Sequence, residues 1–312
     1  MTQSRTSDQA LNAGDDIAGL LVSTTHPRIP AGSRVAAFHR MAKAHGGYAE
    51  YAVAPASTTF ALPDAVSFEA AAGLPLSVIT AALALGQYLG IPVLPEEGKE
   101  GNDVASTALV VYGGASAVGA YALQLAKLAG VKAVITVAGK GIDFVSSLDA
   151  TTAIVDYRKG DVATGILSAL SEAEKALNGG SKFTRLVAFD AISGHASYEH
   201  LTAALVSYQG GGELNMVDPP TDESWKFPPE IRFTRTFVSS AYGVPHRFIT
   251  EAQAQSDAEF SEKFYQYLST LLAEGKFKPH PVQTLPGGLE GIADGVQALF
   301  DGKVSATKLV AR

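Results

Sequence analysis

Residues 110–119 read VVYGGASAVG, and residues 120–130 continue as AYALQLAKLAG. An apolar run of strand length ends in two adjacent glycines, and an amphipathic pattern of helical period follows at once. Gly113 and Gly114 permit a sharp turn, the small residues after them leave the backbone open to a pyrophosphate, and a helix N-terminus supplies N–H groups. Gly119 lets the helix pack close to the sheet. The stretch predicts the first strand–turn–helix of a dinucleotide-binding domain, although its spacing is not GxGxxG and an ordinary turn is the alternative.

The chain from residue 107 onward alternates between apolar runs of strand length and segments of helical period. Short connections between such elements predict an α/β fold with a doubly wound parallel sheet of the Rossmann type. The predicted strands are 108–112, 133–137, 153–157, 186–190, 214–217, 236–240 and a last one at 308–312. The predicted helices are 118–129, 142–148, 162–177, 197–207, 259–274 and 288–300.

The N-terminal third has a different pattern. Short strand-like pieces at 17–22, 33–38 and 48–53 are separated by Pro- and Gly-containing turns, which is typical of a small β-rich module. Residues 67–85 predict two helical pieces broken near Pro75. A polar loop over 90–106 follows and predicts a domain junction or surface insertion.

Composition excludes several classes of protein. The 312 residues include no cysteine, so disulfides, thiolate zinc sites, iron–sulfur clusters and cysteine nucleophiles are ruled out. A net charge of −7 argues against nucleic acid as a partner. Apolar stretches such as 70–85 are Ala-rich and interrupted, and the first fifteen residues are polar. We therefore expect neither a membrane span nor a secretory signal, and a cytoplasmic protein.

Other catalytic motifs do not occur in the sequence. It contains no HExxH, Walker GxxxxGK, GxSxG or Tyr-x-x-x-Lys pattern, which disfavours a metalloprotease, an NTPase, a hydrolase and a short-chain dehydrogenase. His195 and His200 are five residues apart and do not share a helical face. We expect no metal site.

The end of the second predicted strand bears on the choice of cofactor. NAD sites usually have an acid there for the ribose hydroxyls, whereas this chain reads Ala-Gly-Lys-Gly over 138–141 and its first acid is Asp143. Lys140 would attract a 2′-phosphate that a carboxylate would repel. This favours NADPH over NADH, with a solvated surface lysine as the alternative.

Several further stretches occur in a recognisable order along nearly the whole chain. They are GDDIAG (14–19), AGSRVAAF (31–38), GGYAEYAV (46–53), LPDAVSFEAAAGLPLSVITAALAL (62–85), VDYR (155–158), FDAISG (189–194) and GKVSATKLVAR (302–312). With the glycine turn, they resemble the medium-chain dehydrogenase/reductases. The resemblance is to the cysteine-free quinone/enoyl reductase branch and to fungal trans-acting enoyl reductases of polyketide pathways. Residues GIPVLPEE after Leu89 resemble a loop of the fungal group.

The resemblance implies a domain organisation. A GroES-like substrate domain would occupy residues 1–85 and be completed by about 276–312, and an NADP-binding Rossmann domain would occupy 86–275. The GDDIAG motif begins at residue 14, whereas the family pattern places it some 60 residues or more into the fold. We therefore expect an incomplete GroES-like domain that lacks its first strands.

The resemblance also implies site residues. Residues along FDAIS and 238–242 would line the nicotinamide side, and Lys308 would help to close the cleft. Alternatives are a strand-end aromatic for Tyr157, a cap for Asp190 and a buried hinge helix for 76–80. The implied cofactor contacts are Ala115, Ser116, Ala117 and Val118 at the pyrophosphate, Lys140 and Tyr157 at the 2′-phosphate, and Ser305 and Ala306 over the cleft. The implied substrate contacts are Leu76, Ser77 and Thr80.

The activity that this implies is the zinc-independent, NADPH-dependent reduction of an activated C=C bond in a small enoyl or quinone-type substrate, in secondary metabolism. A polyketide synthase is the implied partner, and relatives are monomers or homodimers. No residue is identified as the proton donor. The alternative is a truncated, non-catalytic NADPH-binding homologue that acts as a sensor or partner subunit.

Overall fold

A computed structural model describes residues 13–95, 104–217, 227–246 and 248–312 of the chain. The polar residues 1–12 and residues 96–103 of the predicted loop 90–106 lie outside the described residues. Within the described part the chain forms a six-stranded parallel sheet, a three-stranded antiparallel sheet and a separate pair of strands.

The antiparallel sheet is built by the N-terminal part of the chain. Its strands β1 (Asp16–Leu20), β2 (Arg34–Phe38) and β3 (Thr59–Ala61) lie in the order β1-β2-β3. The first two confirm the predicted strands within two residues. The prediction of a strand at 48–53 is wrong, because the third strand begins eleven residues later, at Thr59 rather than residue 48.

The reason is the buried ring of His39. Its Nδ1 lies 2.6 Å from the carbonyl oxygen of Val53, and its Nε2 lies 3.2 Å from that of Lys43. The amide of Gly47 donates to the carbonyl of Gly14 at 2.6 Å. Residues 43–53 therefore fold around a side chain and the start of β1, and bends and irregular backbone replace the expected strand.

Two helices follow the antiparallel sheet, and the break between them is at Pro75 as predicted. Helix α1 (Phe68–Ala71) is capped by Ser67, and α2 (Pro75–Leu83) begins at the proline, whose missing N–H is harmless at this position. A π-helical turn, Ala84–Tyr88, extends α2. The stretch Phe68–Tyr88 is the one described helical segment long and apolar enough to span a membrane, but 72% of its apolar window is buried inside the protein. It is a core helix.

The parallel sheet confirms the predicted fold class. Its strands follow the order β6-β5-β4-β7-β8-β9, and every neighbouring pair is parallel. Along the central strand, Leu109 and Val111 face one apolar core while Val110 and Tyr112 face the other, so both faces of the sheet are covered. In chain order the elements are β4 (Thr107–Tyr112), α3 (Ala117–Leu128), β5 (Ala133–Ala138), α4 (Ile142–Ser147), β6 (Ala153–Asp156), α5 (Val162–Leu177), β7 (Arg185–Asp190), α6 (His195–Gln209), β8 (Gly212–Met216) and β9 (Ile231–Arg235).

The last strand of this sheet was placed wrongly from the sequence. The prediction of a strand at 236–240 is incorrect, because β9 ends at Arg235 and a 3₁₀ helix, Val238–Tyr242, follows. Polar side chains in this stretch bond inward: the hydroxyl of Thr236 donates to Asn215 at 2.8 Å, and that of Ser240 donates to Asp257 at 2.5 Å. Thr236 and Ser240 are buried with hydrogen-bond partners, so the sequence pattern of this stretch resembles that of a buried strand.

The C-terminal elements return to the N-terminal ones. They are α7 (Glu251–Ala273), β10 (Val282–Thr284), α8 (Ile292–Phe300) and β11 (Lys308–Val310), and β10 pairs with β11 in parallel. Helix α7 begins eight residues before the predicted start, because Thr250 caps it by accepting from the amide of Gln253. The ammonium of Lys308 donates to Asp16 at 2.6 Å, which joins β11 to β1.

Candidate cofactor site

The glycine turn lies at the point where the parallel sheet changes direction. Strands β5 and β6 follow on one side of β4, whereas β7, β8 and β9 follow on the other. The connections at the carboxyl ends of β4 and β7 therefore diverge and leave a crevice, which is where open parallel sheets bind ligands. The turn after β4 and the turn after β7 meet at this crevice: a Cβ atom placed on Gly113 would lie 2.4 Å from Ile192.

The glycines of this turn are required by close packing. Gly113 has a φ of +87°, and its amide donates to the carbonyl of Val137 at 2.9 Å. A Cβ atom on Gly114 would lie 2.2 Å from the hydroxyl of Thr136, and one on Gly119 would lie 2.2 Å from the carbonyl oxygen of Gly113. Because these contacts leave no room for a side chain, the turn can lie directly against β5, and the first turn of α3 can lie directly against the turn.

Ser116 is the N-cap of α3. Its hydroxyl oxygen accepts from the amide of Gly119 at 3.0 Å, and the helix begins at Ala117, one residue before its predicted start. The first turn of any helix leaves N–H groups without intrahelical partners, here those of Ala117 and Val118, and such groups can bind a phosphate. The structure thus places the predicted residues Ala115–Val118 at a helix N-terminus beside the crevice, and their contact with a cofactor stays a prediction.

The predicted 2′-phosphate residues also lie together. Lys140 follows the end of β5 with an exposed side chain. The ring of Tyr157 lies over Gly139, where an added Cβ atom would be 2.4 Å from the ring. Tyr157 packs at the end of a strand, which agrees with the alternative of a strand-end aromatic. It nevertheless remains 49% exposed, beside Lys140. This arrangement leaves a phenol and an ammonium open to solvent at the same end of the crevice.

Arg158 lies at the same end of the crevice, and the sequence patterns predicted no role for it. Its guanidinium donates to both carboxylate oxygens of Asp156, at 2.8 and 2.7 Å. These hydrogen bonds lower the pKa of Asp156 to about 2. Lys159 adds a further cation 3.9 Å from the same carboxylate. The sequence signal for this basic group is the pair of consecutive basic residues, Arg158 and Lys159, directly after the predicted strand 153–157.

The C-terminal segment contacts the same crevice. Ala306 has a φ of +51°, and a Cβ atom placed on Gly141 would lie 3.0 Å from the Cβ of Ala306 and 2.5 Å from that of Ala115. Ser305 precedes it with an exposed side chain. The segments that contain Ala115, Gly141 and Ala306 are distant in sequence but meet at this point. The resemblance implies that the cleft closes here, and closure over a cofactor stays a prediction.

Asp190 ends strand β7 and is fully buried. Its carboxylate accepts from the amides of Ile192 and Ser193, at 3.0 and 2.8 Å, and from the hydroxyl of Ser197 at 2.6 Å. Burial raises the pKa of Asp190, and these hydrogen bonds oppose the rise. The arrangement fits the alternative of a capping residue, since the carboxylate fixes the turn into α6.

The predicted substrate residues lie on α2. The amide of Leu76 donates to Asp16 at 2.5 Å, and the hydroxyl of Thr80 donates to the carbonyl of Leu76 at 2.7 Å. Ser77 accepts from the ammonium of Lys308 at 3.2 Å. Ser77 and Thr80 are each 5% exposed, and Leu76 is half-buried. These contacts join β1, α2 and β11. A substrate role for Leu76, Ser77 and Thr80 stays a prediction.

His280 is a neighbour of the glycine turn that sequence reasoning did not connect with it. Its Nε2 lies 3.2 Å from the carbonyl oxygen of Ala115, although 165 residues separate the two. Burial lowers the pKa of this imidazole. Only the tertiary structure brings the segment before β10 under the turn, so no local pattern could have found the contact. Across the described ranges, no group of three or more His, Asp or Glu side chains could hold a metal.

Comparisons with known proteins agree with this geometry. No protein-family model matches the chain. Trans-enoyl reductase fsr4 from Gibberella fujikuroi is 32% identical over 290 residues, which cover 91% of this chain and 78% of fsr4. Among solved structures, CurK enoyl reductase has a TM-score of 0.64 at 20% identity and covers 96% of this chain and 80% of CurK. Mycobacterial Rv1454c complexed with NADPH has a TM-score of 0.62 at 21% identity and covers 95% of this chain and 81% of its own.

A parallel sheet with a glycine turn at its switch point, joined to a small antiparallel sheet, is the fold of the medium-chain dehydrogenase/reductases. The chain belongs to the medium-chain dehydrogenase/reductase superfamily, in its quinone/enoyl reductase branch. This confirms the resemblance found in the sequence.

Proposed function

We propose that this protein is an NADPH-dependent, zinc-independent reductase of activated C=C bonds in small enoyl or quinone-type substrates of secondary metabolism. The observation that carries the proposal is the pairing of a glycine turn at the sheet's switch point with Lys140, Tyr157 and Arg158 at the ends of β5 and β6. The name of its relative, trans-enoyl reductase fsr4, supports the reaction class.

NADPH, when bound, supplies the hydride that is added to the β-carbon of the substrate. The chain's own residues bind and orient the cofactor. Ala115, Ser116, Ala117 and Val118 present the helix N-terminus to the pyrophosphate. Lys140 and Tyr157 receive the 2′-phosphate, and Arg158 adds a second cation that Asp156 holds in place. A 2′-phosphate carries two negative charges that NADH lacks, so this end selects the cofactor.

The remaining assignments concern the closure of the cleft and the substrate. Ser305 and Ala306 close over the cofactor, and Leu76, Ser77 and Thr80 border the substrate where β1, α2 and β11 meet. No residue is assigned as the proton donor to the α-carbon. The absence of cysteine from the whole sequence supports zinc independence, because thiolate zinc sites cannot form.

The proposal includes a domain division and a setting. Residues 1–85 with about 276–312 form the GroES-like substrate domain, and 86–275 form the NADP-binding domain. The ion pair between Lys308 and Asp16 supports the return of the C-terminal stretch to the first domain. A polyketide synthase as partner rests on the likeness to fungal trans-enoyl reductases. The protein acts in the cytoplasm as a monomer or homodimer.

The test is a turnover assay with the full chain. Purified protein is mixed with NADPH and an α,β-unsaturated thioester, a simple enone or a quinone, and loss of NADPH absorbance is followed. NADPH carrying deuterium at the transferable position identifies the reaction, because mass spectrometry should find one deuterium at the β-carbon of the product. NADH serves as the matched control and should support much slower turnover.

Binding measured beside turnover separates the two candidate functions. NADPH that binds and is oxidised supports the reductase. NADPH that binds without oxidation by any of these acceptors contradicts it and supports the second candidate, a non-catalytic NADPH-binding sensor or partner subunit. Failure to bind NADPH contradicts both candidates.

A further inference from the structure

We propose that His280 is a positioning residue that orients the phosphate-binding turn through a hydrogen bond from its Nε2 to the carbonyl of Ala115. The proposal rests on the proposed NADPH site, since it names the residue that keeps one peptide group of that site in its binding orientation. His280 belongs to the segment between α7 and β10, which shares no sequence neighbourhood with the turn.

The peptide group between Ala115 and Ser116 is held at both ends. Its carbonyl oxygen lies 3.2 Å from Nε2 of His280, and its N–H donates to the carbonyl of Gly113 at 2.9 Å. His280 is 3% exposed, so water does not readily replace it as the donor. The orientation of this peptide is therefore set by one local bond and one long-range bond.

The orientation matters because of charge. A pyrophosphate is attracted to N–H groups at a helix N-terminus and repelled by carbonyl oxygens, which carry the opposite partial charge. In this structure the carbonyl of Ala115 is directed at His280. Without a donor there, the carbonyl of the half-buried Ala115 loses its hydrogen-bond partner, and rotation of the peptide toward the crevice would restore one at the expense of phosphate binding.

His280 is itself well fixed. Its main-chain amide donates to the hydroxyl of Tyr121 at 2.9 Å, and that hydroxyl donates to the carbonyl of Gly73 at 3.1 Å. The ring of Phe144 packs edge-on against the imidazole, with centroids 4.8 Å apart. Side chains of α3 and α4 thus contact His280 and preset its position.

The second ring nitrogen makes a competing contact. Nδ1 lies 3.2 Å from the carbonyl oxygen of Pro281, so a neutral imidazole can donate to only one of its two carbonyl neighbours. Burial, and to a smaller extent the ammonium of Lys308, lowers the pKa of His280 and so disfavours a positive charge on the imidazole. We assign to His280 the neutral tautomer with its proton on Nε2, in which Nδ1 has no proton to donate to Pro281.

Two amide substitutions separate the two ring nitrogens. In His280→Gln the side-chain amide reaches the position of Nε2 and can still donate to Ala115, whereas in His280→Asn it reaches only the position of Nδ1. His280→Phe keeps a ring and removes both nitrogens. His26→Asn, in the turn between β1 and β2, is the control for the same substitution outside the crevice.

Dissociation constants for NADPH and NADH are measured by fluorescence titration, with the melting temperature of each variant beside them. We expect His280→Gln to bind within about threefold of the wild type. His280→Asn and His280→Phe should bind both dinucleotides about tenfold more weakly, the loss of one hydrogen bond of about 1.4 kcal/mol. Equal loss for NADPH and NADH is expected because the pyrophosphate is common to both.

Other results would overturn the inference. If the Asn and Phe variants melt at lower temperature but bind NADPH like the wild type, His280 has a structural role only, and the proposed NADPH site stands. If Gln weakens binding as much as Asn, the bond from Nε2 is not the cause. If the wild type fails to bind NADPH, the inference and the proposed function both fall. Should the Phe variant not fold, the Gln and Asn pair decides.

Discussion

The two ends of the candidate cofactor crevice are built in different ways. At the glycine turn, buried residues leave no space for a Cβ atom, and hydrogen bonds to Val137, Gly119 and His280 fix the backbone. At the other end, Lys140 and half of Tyr157 are exposed. The first end is a property of the packed fold, whereas the second is a set of surface side chains. Changes at the turn should therefore affect stability and binding together, and changes at the basic end should affect binding alone.

Gly119→Ala should have the largest effect. Alanine normally stabilises a helix by about 1 kcal/mol relative to glycine, but here its Cβ would lie 2.2 Å from a backbone carbonyl oxygen that cannot move without opening the turn. We expect the free energy of unfolding to fall by about 3 kcal/mol or more and NADPH binding to be lost. Urea denaturation and fluorescence titration measure the two effects.

Gly19→Ala in β1 is the matched control. No atom lies within 4 Å of a Cβ placed on Gly19, so this variant should stay within about 0.5 kcal/mol of the wild type. A Gly119→Ala protein as stable as Gly19→Ala would show that the turn is more compliant than its packing indicates, and the contrast between the two ends would disappear.

Lys140→Ala tests the exposed end. The loss of one charge-assisted bond to a 2′-phosphate should raise the dissociation constant for NADPH about 10- to 100-fold, a cost of roughly 1.5–3 kcal/mol. The constant for NADH should change less than about twofold, and stability should not change. Equal losses for NADPH and NADH would contradict the assignment of Lys140.

Lys132→Ala provides the control for removal of a positive charge. Lys132 precedes the same strand, β5, at its opposite end, where its ammonium lies 3.5 Å from Asn178. This substitution alters the net charge of the protein by the same amount, so any general electrostatic effect on NADPH appears in both variants. A specific 2′-phosphate contact appears only in Lys140→Ala.

The same contrast explains what the sequence could and could not predict. The parallel sheet and the glycine turn follow from local patterns: a strand, two glycines and an amphipathic helix are consecutive, so their order predicts their arrangement. The strand expected at 48–53 was wrong because the His39 side chain organises that segment, and a side chain that bonds to distant backbone leaves no periodic signal. The strand expected at 236–240 was wrong because buried hydroxyls imitated an apolar face.

Within the candidate site, the residues predicted from the sequence include some at or just after the end of a predicted strand, such as Lys140 and Tyr157. His280 could not be found in this way, because its contact with Ala115 joins segments 165 residues apart. The start of α7 was also missed, although Thr250 followed three residues later by Gln253 is a recognisable capping pattern. Long-range contacts are the part of the site that only a structure supplies.

Ser116→Ala should have a smaller effect, of about 1 kcal/mol, because it removes the hydroxyl that caps α3. Thr250→Ala removes the equivalent cap of α7 and should have a similar cost. The two variants should differ when NADPH is added: the rise in melting temperature should be intact in Thr250→Ala and reduced in Ser116→Ala. If NADPH raises the melting temperature of both variants equally, the cap of α3 does not contribute to cofactor binding.

The smallest effect concerns acid, and it again distinguishes the two ends. Burial lowers the pKa of His280 from its usual value of 6.5, so the unfolded chain takes up a proton before the folded one as the pH falls. The stability that depends on neutral His280 is complete above about pH 6.5 and is lost as the pH falls below it. Asp156, with its pKa lowered to about 2, keeps its charge throughout this range, so the exposed end does not respond.

Urea denaturation at about pH 7 and about pH 5 should therefore show that the wild type loses more stability than His280→Gln, which has no proton to gain. Equal losses would mean that the imidazole accepts its proton in the folded protein as readily as in water, and burial would then not disfavour the charged ring.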